Sequence, residues 1–560
     1  MTAMHCRTKP VAAGQVAVFA VCLFTALSAT AAPPKYSLTL VSKLEWDDTV
    51  SVVAINNAGH VMGLFDAEGS GEHTFLYKDG VTIDIKPTDA HYVWGAAMNE
   101  SGVIVGTTES YPESRRAFKY ENGVFTKLEI PELIYTDGLD VNESNQILGV
   151  GSFDGRGFLY DHGAIVILSN GPFSDIQPVA INDSGTVVGD GHAVSGNEPF
   201  IYQDGETTSM GALERDTSRT VAINNTGRVT GVLIGGEQVY SERAFVRFTD
   251  GNMIELGTFG GEAWDRSHAW DINGAGHIVG WAHADDSYEH AFLYKSGVMT
   301  DLGTLGRAMS HARDITNNGQ VVGIANDDFT YATSTVFIYG VDGTRTHDLN
   351  ALIDPADRSK PHVLLKSVPG RKAINEYGQI AALGIDSRKN RERIYLVSPI
   401  DSTPPVVRAN VNGAMGSNGW YTGDVTVAWV TTDPEAPIGA KVGCAAATVQ
   451  VDTAGMAHKC QAKSMGGASP IRKATVKRDT VKPSVVVRRP KAGAVYSRDQ
   501  VVSADYQCSD LTSGVQSCAG TLPPGGSIDT SQAISNAVFR VVAIDNAGHK
   551  RIVTRTYSVL

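Results

Sequence analysis

The sequence predicts an all-β protein: a β-propeller of eight, alternatively seven, blades followed by two small β-sandwiches. Three observations carry that expectation. A unit of about 40 to 50 residues recurs eight times between Ala54 and Pro399, and a fixed period of that length marks a repeat architecture. Each unit holds four short apolar runs bounded by Gly or Asn turn chemistry, too short for helices and spaced as antiparallel strands, named A to D here. After Pro399 the repeat stops and two segments of about 80 residues begin, rich in Val, Thr and Ser.

The clearest copy runs from Trp270 to Gly306, reading WDINGAGHIVGW, a variable loop and HAFLYKSGVMTDLGTLG. The first half of each unit is an apolar run ending in Asn, a turn closed by Gly and a second apolar run ending in Gly. These halves begin at Ala54, Ala97, Asp140, Ala180, Ala222, Asp271, Asp314 and Ala373. The second halves contain an aromatic run, such as TFLYKDG at Thr74 or AFLYKSG at Ala291. In the A to B turn Asn supplies local side-chain hydrogen bonds and Gly a positive φ. That backbone role also accounts for the sequons at Asn99, Asn142, Asn182 and Asn224, which are read as turn residues rather than glycosylation sites.

Units apolar on both strand faces suit blades packed face to face around an axis, with a linear solenoid as the competitor. Lys35 to Leu44, KYSLTLVSKL, resembles an isolated D strand, and the eighth copy shows A, B and C strands but no clear D. The N-terminal strand is therefore expected to complete the last blade and close the ring, removing an exposed sheet edge.

HAF at His290 to Phe292, DLGTLG at Asp301 and the recurrent AIN(N)xGxVVG halves resemble the HAF-type extracellular repeat family of bacteria over roughly residues 35 to 400. The resemblance implies a secreted, propeller-like protein and little about chemistry. Three departures stand out: Asn145 replaces the turn Gly, Thr316 replaces the Asn, and the eighth copy reads QIAA where VVG is usual.

Residues 1–31 read as a secretory signal: Arg7 and Lys9, an apolar stretch from Val11, and the cleavage site Ala29, Thr30, Ala31. The propeller is assigned to 32–398. Linkers PIDSTPPVV at Pro399 and RDTVKPSVV at Arg478 open the two sandwiches, 399–478 and 479–560. YTGDVTVAW, YSRDQVVSADY and VVAIDNAGHK there resemble bacterial immunoglobulin-like domains. Outside the signal the cysteines are Cys444, Cys460, Cys508 and Cys518, an even number that in an exported chain reads as disulfides, paired locally within each sandwich. Metal ligation by these cysteines is the alternative, without CxxC support.

Charge is asymmetric. Residues 33–400 hold 49 acids against 28 Lys and Arg, net −21, whereas residues 401–560 hold 11 against 17, net +6. An acidic propeller argues against nucleic acid and against an anionic polymer over its whole surface. No cofactor is called for; calcium or a cationic partner stays open. No apolar run beyond the signal is long enough to span a bilayer, so the expected location is periplasm, medium or cell surface.

GxSxG, HExxH, GxxxxGK[ST] and a strand-linked GxGxxG are all absent. A site is instead expected where loops vary on a rigid scaffold, on the face built from B to C and D to A loops. Five residues before each repeated Asn, near the axial entrance, stand Ser51, Trp94, Asp137, Gln177, Arg219, His268, His311 and Gly370. They form either a ring of groups gripping a sugar or peptide or merely tolerant strand ends. The sixth copy adds Trp264, His283, Asp285 and Asp286; Trp rings beside carboxylates and imidazoles suit carbohydrate, and His283 with Asp285 suits a metal or a proton shuttle. Trp270 and Trp281 fall on strands and read as core. The leading expectation is a non-catalytic module binding a glycan or an extracellular protein; the alternative is a polysaccharide-cleaving lyase or hydrolase at the axial entrance.

Overall fold

The computed structural model describes residues 33–41, 49–67, 71–110, 114–153, 155–194, 196–211, 217–235, 241–260, 266–286, 288–327, 333–341, 345–358, 363–387 and 391–560. The expected signal segment and Trp264 lie outside the described residues. Up to Pro399 the chain forms a propeller-like series of four-stranded antiparallel sheets, eight among the described residues. Strands follow one another A to D within each sheet; the first, for instance, comprises Val50–Ile55, Val61–Ala67, Gly71–Lys78 and Val81–Ile85.

The eighth sheet is completed as the sequence leads one to expect. Its A, B and C strands are Val363–Ser367, Ile380–Asp386 and Arg391–Pro399, and its fourth is the N-terminal Tyr36–Leu40, antiparallel to strand C with Tyr36 opposite Pro399. Tyr36 is fully buried there, among Ile338, Leu352, Leu365 and Val397. Two four-residue helices, Leu349–Leu352 and Pro355–Arg358, fill the connection between the seventh and eighth sheets.

The repeated Asn serves turn and ring together. At Asn182 the side-chain oxygen accepts the Ser184 and Thr186 N–H groups at 3.1 and 3.0 Å, while its NH2 donates to the Asn224 carbonyl of the next sheet at 3.2 Å. The same bond runs from Asn56 to Asn99, on to Asn142, Asn182, Asn224 and Asn273, and from Asn273 to Thr316. Asn375 then donates to the Asn56 carbonyl at 2.9 Å, joining the eighth sheet to the first. Chain order thus comes back on itself, as a ring requires and a linear solenoid does not. The four sequon asparagines are all buried with their amide nitrogens engaged in this ring, so the folded chain offers no acceptor nitrogen there.

Each departure from the repeat has a local account. Asn145 takes the turn glycine's place at φ 63°, a region Asn tolerates. The last Gly of VVG lies beneath the strand C aromatic and against strand A; a Cβ on Gly280 would come within 1.8 Å of the His268 carbonyl oxygen. In the eighth sheet strand A ends at Ser367, paired with Leu383, so no strand A residue is paired with Ala382 and a methyl fits. Gly370 consequently lies past the end of that strand rather than at its start.

The HAF motif is explained by strand pairing. The residue two before the strand C aromatic meets a partner on strand D of the same sheet: His73 with Asp84 at 3.2 Å, His290 with Asp301 at 2.8 Å, Arg243 with Glu255 at 4.0 Å. The imidazole of HAF and the carboxylate of DLG are one ion pair.

Beyond Pro399 stand two further β units. The first links seven strands from Val406–Met415 to Arg472–Arg478; the second has a pair, Ser484–Arg489 with Asp505–Ser509, and a four-stranded sheet of Ala494–Tyr496, Lys550–Val559, Ile534–Asp545 and Val515–Gly520. Cys444 is bonded to Cys460 and Cys508 to Cys518, the local pairing expected. Among the described residues no helix is long and apolar enough to cross a membrane.

Candidate ligand-binding face

Antiparallel order puts the A to B and C to D turns at one end of every sheet and the B to C and D to A loops at the other. At the loop end the variable residue five before the repeated Asn meets a partner from the preceding sheet, three residues before its strand C aromatic. Trp94 Nε1 donates to Glu72 at 2.6 Å; Arg115 Nε donates to Asp137 at 2.7 Å; Glu242 bonds to His268 Nε2; Glu289 bonds to His311 Nε2 at 2.6 Å. Four of the ring positions therefore clasp neighbouring sheets together. That role lies between the two readings the sequence leaves open, since their variation is paired with variation one sheet away.

The loop end carries two clusters. In the second and third sheets Trp94 lies stacked on Tyr92, rings 5.1 Å apart and 7° from parallel, and the Arg115 guanidinium sits 5.9 Å from the Trp94 ring. Asp137 accepts from Arg115, Thr107 and Ser152. Next to Ser152 is Phe153, 85% exposed and edge-on to Tyr135 at 5.1 Å. Tyr92 is itself 40% exposed. The result is an open strip of aromatic faces around one ion pair, whose stacked rings offer apolar area and whose polar edges offer hydrogen bonds.

The second cluster is folded in on itself. His268 stacks on Trp281 at 4.5 Å and 12°, with Arg219 Nη2 3.0 Å from its other ring nitrogen. His311 and His283 lie against the same indole, each at 5.8 Å. Trp281, His268 and His311 are all buried, and His268 holds the Glu242 carboxyl below its usual range. Asp285 and Asp286 are exposed in the loop after His283; Asp286 bonds to His290 at 3.2 Å. The imidazoles and the two loop carboxylates thus belong to different surroundings. Trp270 is not a plain core residue: it is half-buried, with the Arg313 guanidinium 4.4 Å from its ring.

At the turn end lies a cavity of about 430 Å³ lined from all eight sheets. Its lining includes residues that directly follow the repeated turn position, among them Glu100, Glu143, Asp183 and Glu376. These carboxylates accept backbone N–H groups from the preceding sheet: Asn57 to Glu100 at 2.6 Å, Glu100 to Glu143 at 3.1 Å, Glu143 to Asp183 at 3.0 Å, Asn317 to Glu376 at 2.9 Å. Burial raises the carboxyls of Glu100, Glu143 and Glu376. Deeper in, Arg371 and Lys372 of the eighth sheet cross the axis to the carbonyls of Val221 and Met98, at 2.9 and 2.7 Å. The two cations line the cavity together with Asp140, Asp271 and Asp314.

Sequence reasoning missed Tyr92, Arg115 and Phe153, the turn-end carboxylates and the two cations of the cavity. A signal existed for some: Glu or Asp follows the repeated Asn in four copies, and in four copies the residue three before the aromatic complements the next copy's ring position.

No protein family matches the sequence, and no curated protein does. Among solved structures the chain is similar to an acylaminoacyl peptidase of Pyrococcus horikoshii, with 11% identity, 55% of this chain and 54% of that one covered, and a TM-score of 0.35. It is also similar to TolB of Acinetobacter baumannii, with 13% identity, coverage of 39% and 56%, and a TM-score of 0.27. A puromycin-hydrolysing peptidase of Mycobacterium tuberculosis gives 12% identity, coverage of 67% and 64%, and a TM-score of 0.37. In each of these matches the chain spans less than two thirds of the other protein.

Proposed function

We propose that the chain is an exported eight-bladed propeller of the HAF-type repeat family, carrying two immunoglobulin-like sandwiches, and that it binds a glycan or the surface of an extracellular protein on its loop face. The observation that carries this is the strip of Tyr92, Trp94, Tyr135 and Phe153 around the Arg115 and Asp137 pair. Sugars and apolar side chains pack on such faces while the ion pair supplies directed hydrogen bonds. The strip shifts the weight of the site from the sixth blade to the second and third, keeping Trp94 and Asp137 and adding Tyr92 and Phe153. The sandwiches act as a spacer. Two disulfides fit the periplasm or the exterior.

The second reading, a polysaccharide-cleaving enzyme, has its own observation: two imidazole–carboxylate pairs, His268 with Glu242 and His311 with Glu289, flank Trp281. A glycan array and a turnover assay on a polysaccharide panel, both run on the secreted protein, separate the two. Binding that falls at least tenfold in Tyr92→Ala and Phe153→Ala with no product formed is the expected result. Product formation abolished by His268→Ala, with binding untouched by the aromatic changes, would refute it.

A further inference from the structure

We propose that Asp479, Asp510 and Asp545 form a calcium site at the joint between the two C-terminal units. One carboxylate oxygen from each lies within 4.8 Å of the others. Oxygens up to about 4.8 Å apart can share an ion at bonds of about 2.4 Å, the Ca²⁺ range, whereas Mg²⁺ at about 2.1 Å draws its ligands closer. An all-oxygen set selects a hard cation.

Each aspartate is held by one oxygen and presents the other. Asp479 Oδ1 accepts the Val481 N–H at 3.0 Å, Asp545 Oδ1 accepts the His549 N–H at 2.8 Å, and Asp510 Oδ1 accepts the Ser513 and Gly514 N–H groups at 2.8 and 2.9 Å. The remaining oxygens of Asp479 and Asp545 are buried with no hydrogen-bond partner, in residues wholly shielded from solvent. Buried unpaired carboxylate oxygens are costly, and gathering three like charges adds to the cost, unless a cation neutralises them. The adjacent Arg478 does not do so: its guanidinium is turned to Asp424 and Asp452, at 2.8 and 2.7 Å.

The position gives the ion a purpose. Asp479 follows directly on the last strand of the first unit, while Asp510 and Asp545 belong to the second. Around them the Ser417 N–H of the first unit donates to the Ala547 carbonyl at 2.9 Å and Asn418 donates to the Asn546 carbonyl at 3.1 Å. Calcium at this point fixes the angle between the units and stiffens the spacer.

The test is isothermal titration of the chelator-stripped, full-length secreted protein with CaCl2 alone. We expect one ion per chain bound below about 1 mM, the affinity of extracellular calcium modules, with at least tenfold weaker binding in Asp510→Asn and Asp545→Asn. In chelator, Asp545→Asn should melt no lower than the unaltered chain, because Asn keeps the oxygen that accepts from His549 and removes one repelling charge. Absence of binding up to about 10 mM Ca²⁺, binding undiminished in both variants, or equal affinity for Mg²⁺ would overturn the proposal. Should Asp545→Asn melt lower in chelator, the outer ligand Asp510 decides by the same tenfold criterion.

Discussion

Tyr36 makes ring closure measurable by a single side chain. It sits on the strand that arrives from the N-terminus to finish the eighth sheet, with its ring fully buried and its hydroxyl buried without a hydrogen-bond partner; burial drives its pKa up. Truncation in Tyr36→Ala removes an aromatic ring from a packed core, at a cost of about 3 to 5 kcal/mol. Tyr36→Phe keeps the packing and deletes an unsatisfied polar group, so it should leave stability unchanged or raise it by about 1 kcal/mol. Starting the chain at Asp47 removes the strand altogether, including fully buried Val41, which adds about 1.5 to 3 kcal/mol and exposes the edge of strand C. That total approaches the whole stability of an ordinary domain, so the shortened chain should lose its cooperative transition. Urea unfolding followed by tryptophan fluorescence, with Trp94, Trp264, Trp270 and Trp281 as the reporters all three chains keep in their first 400 residues, reads all three. A loss under about 0.5 kcal/mol in Tyr36→Ala, or an unaltered transition in the shortened chain, would refute closure by this strand.

Asn182→Ala should cost about 3 kcal/mol by leaving the Ser184 and Thr186 N–H groups unpaired and removing the bond to the Asn224 carbonyl. Asn182→Thr should cost about half that, since Thr316 shows that a hydroxyl can still cap the turn; equal losses in the same urea assay would deny the inter-sheet bond a part. His290 is raised by its bond to Asp301, and Asp301 is lowered by His290 against the pull of burial. The stability this pair contributes is therefore complete between about pH 3.8 and 6.5, is lost as pH rises through the raised imidazole value, and is lost again below the carboxylate range. The gap between unaltered and His290→Ala chains, measured by denaturant midpoint across pH, should close on the alkaline side. A double-mutant cycle on Arg115 and Asp137 should give about 0.5 to 1 kcal/mol of coupling, the Arg being partly exposed; zero coupling would mean that the clasp is incidental.

The sheets were legible because their signals are local: Asn and Gly at each turn answer to the backbone conformation there, and the short apolar runs answer to strand burial. The closing strand was legible by subtraction, a D-type run at one end and a missing one at the other. Side-chain clasps were not, because each joins residues of successive copies. His268 and His311 read alone as a convergent site, yet each is committed to a glutamate one sheet back. Arg371 and Lys372 escaped notice for another reason. They lie where the eighth copy leaves the pattern, and only the crossing of the axis shows what the departure achieves.

Two of the three departures from the repeat, Thr316 and the altered eighth copy, fall at one seam, between the seventh and eighth sheets, and the residues around them compensate. Thr316 caps its own turn through Oγ1, at 3.1 Å from the Gln320 nitrogen, but its short side chain has no amide to send to the next sheet. In its place the Asp314 carboxyl accepts the N–H groups of Ala373 and Ile374 at 2.5 and 2.9 Å, and Glu376 accepts from Asn317 at 2.9 Å. Burial and the neighbouring Asp271 raise the Asp314 carboxyl well above the usual range, and the N–H groups of Ile374 and Ala373 work against that rise. Asp at this position occurs in three copies and Ala in the other five; the third, Asp140, accepts the Ile181 N–H of the following sheet at 3.1 Å. An acid two residues before the repeated Asn therefore acts as an additional link to the next sheet. At the seam, where the Asn link itself is missing, it becomes the principal one.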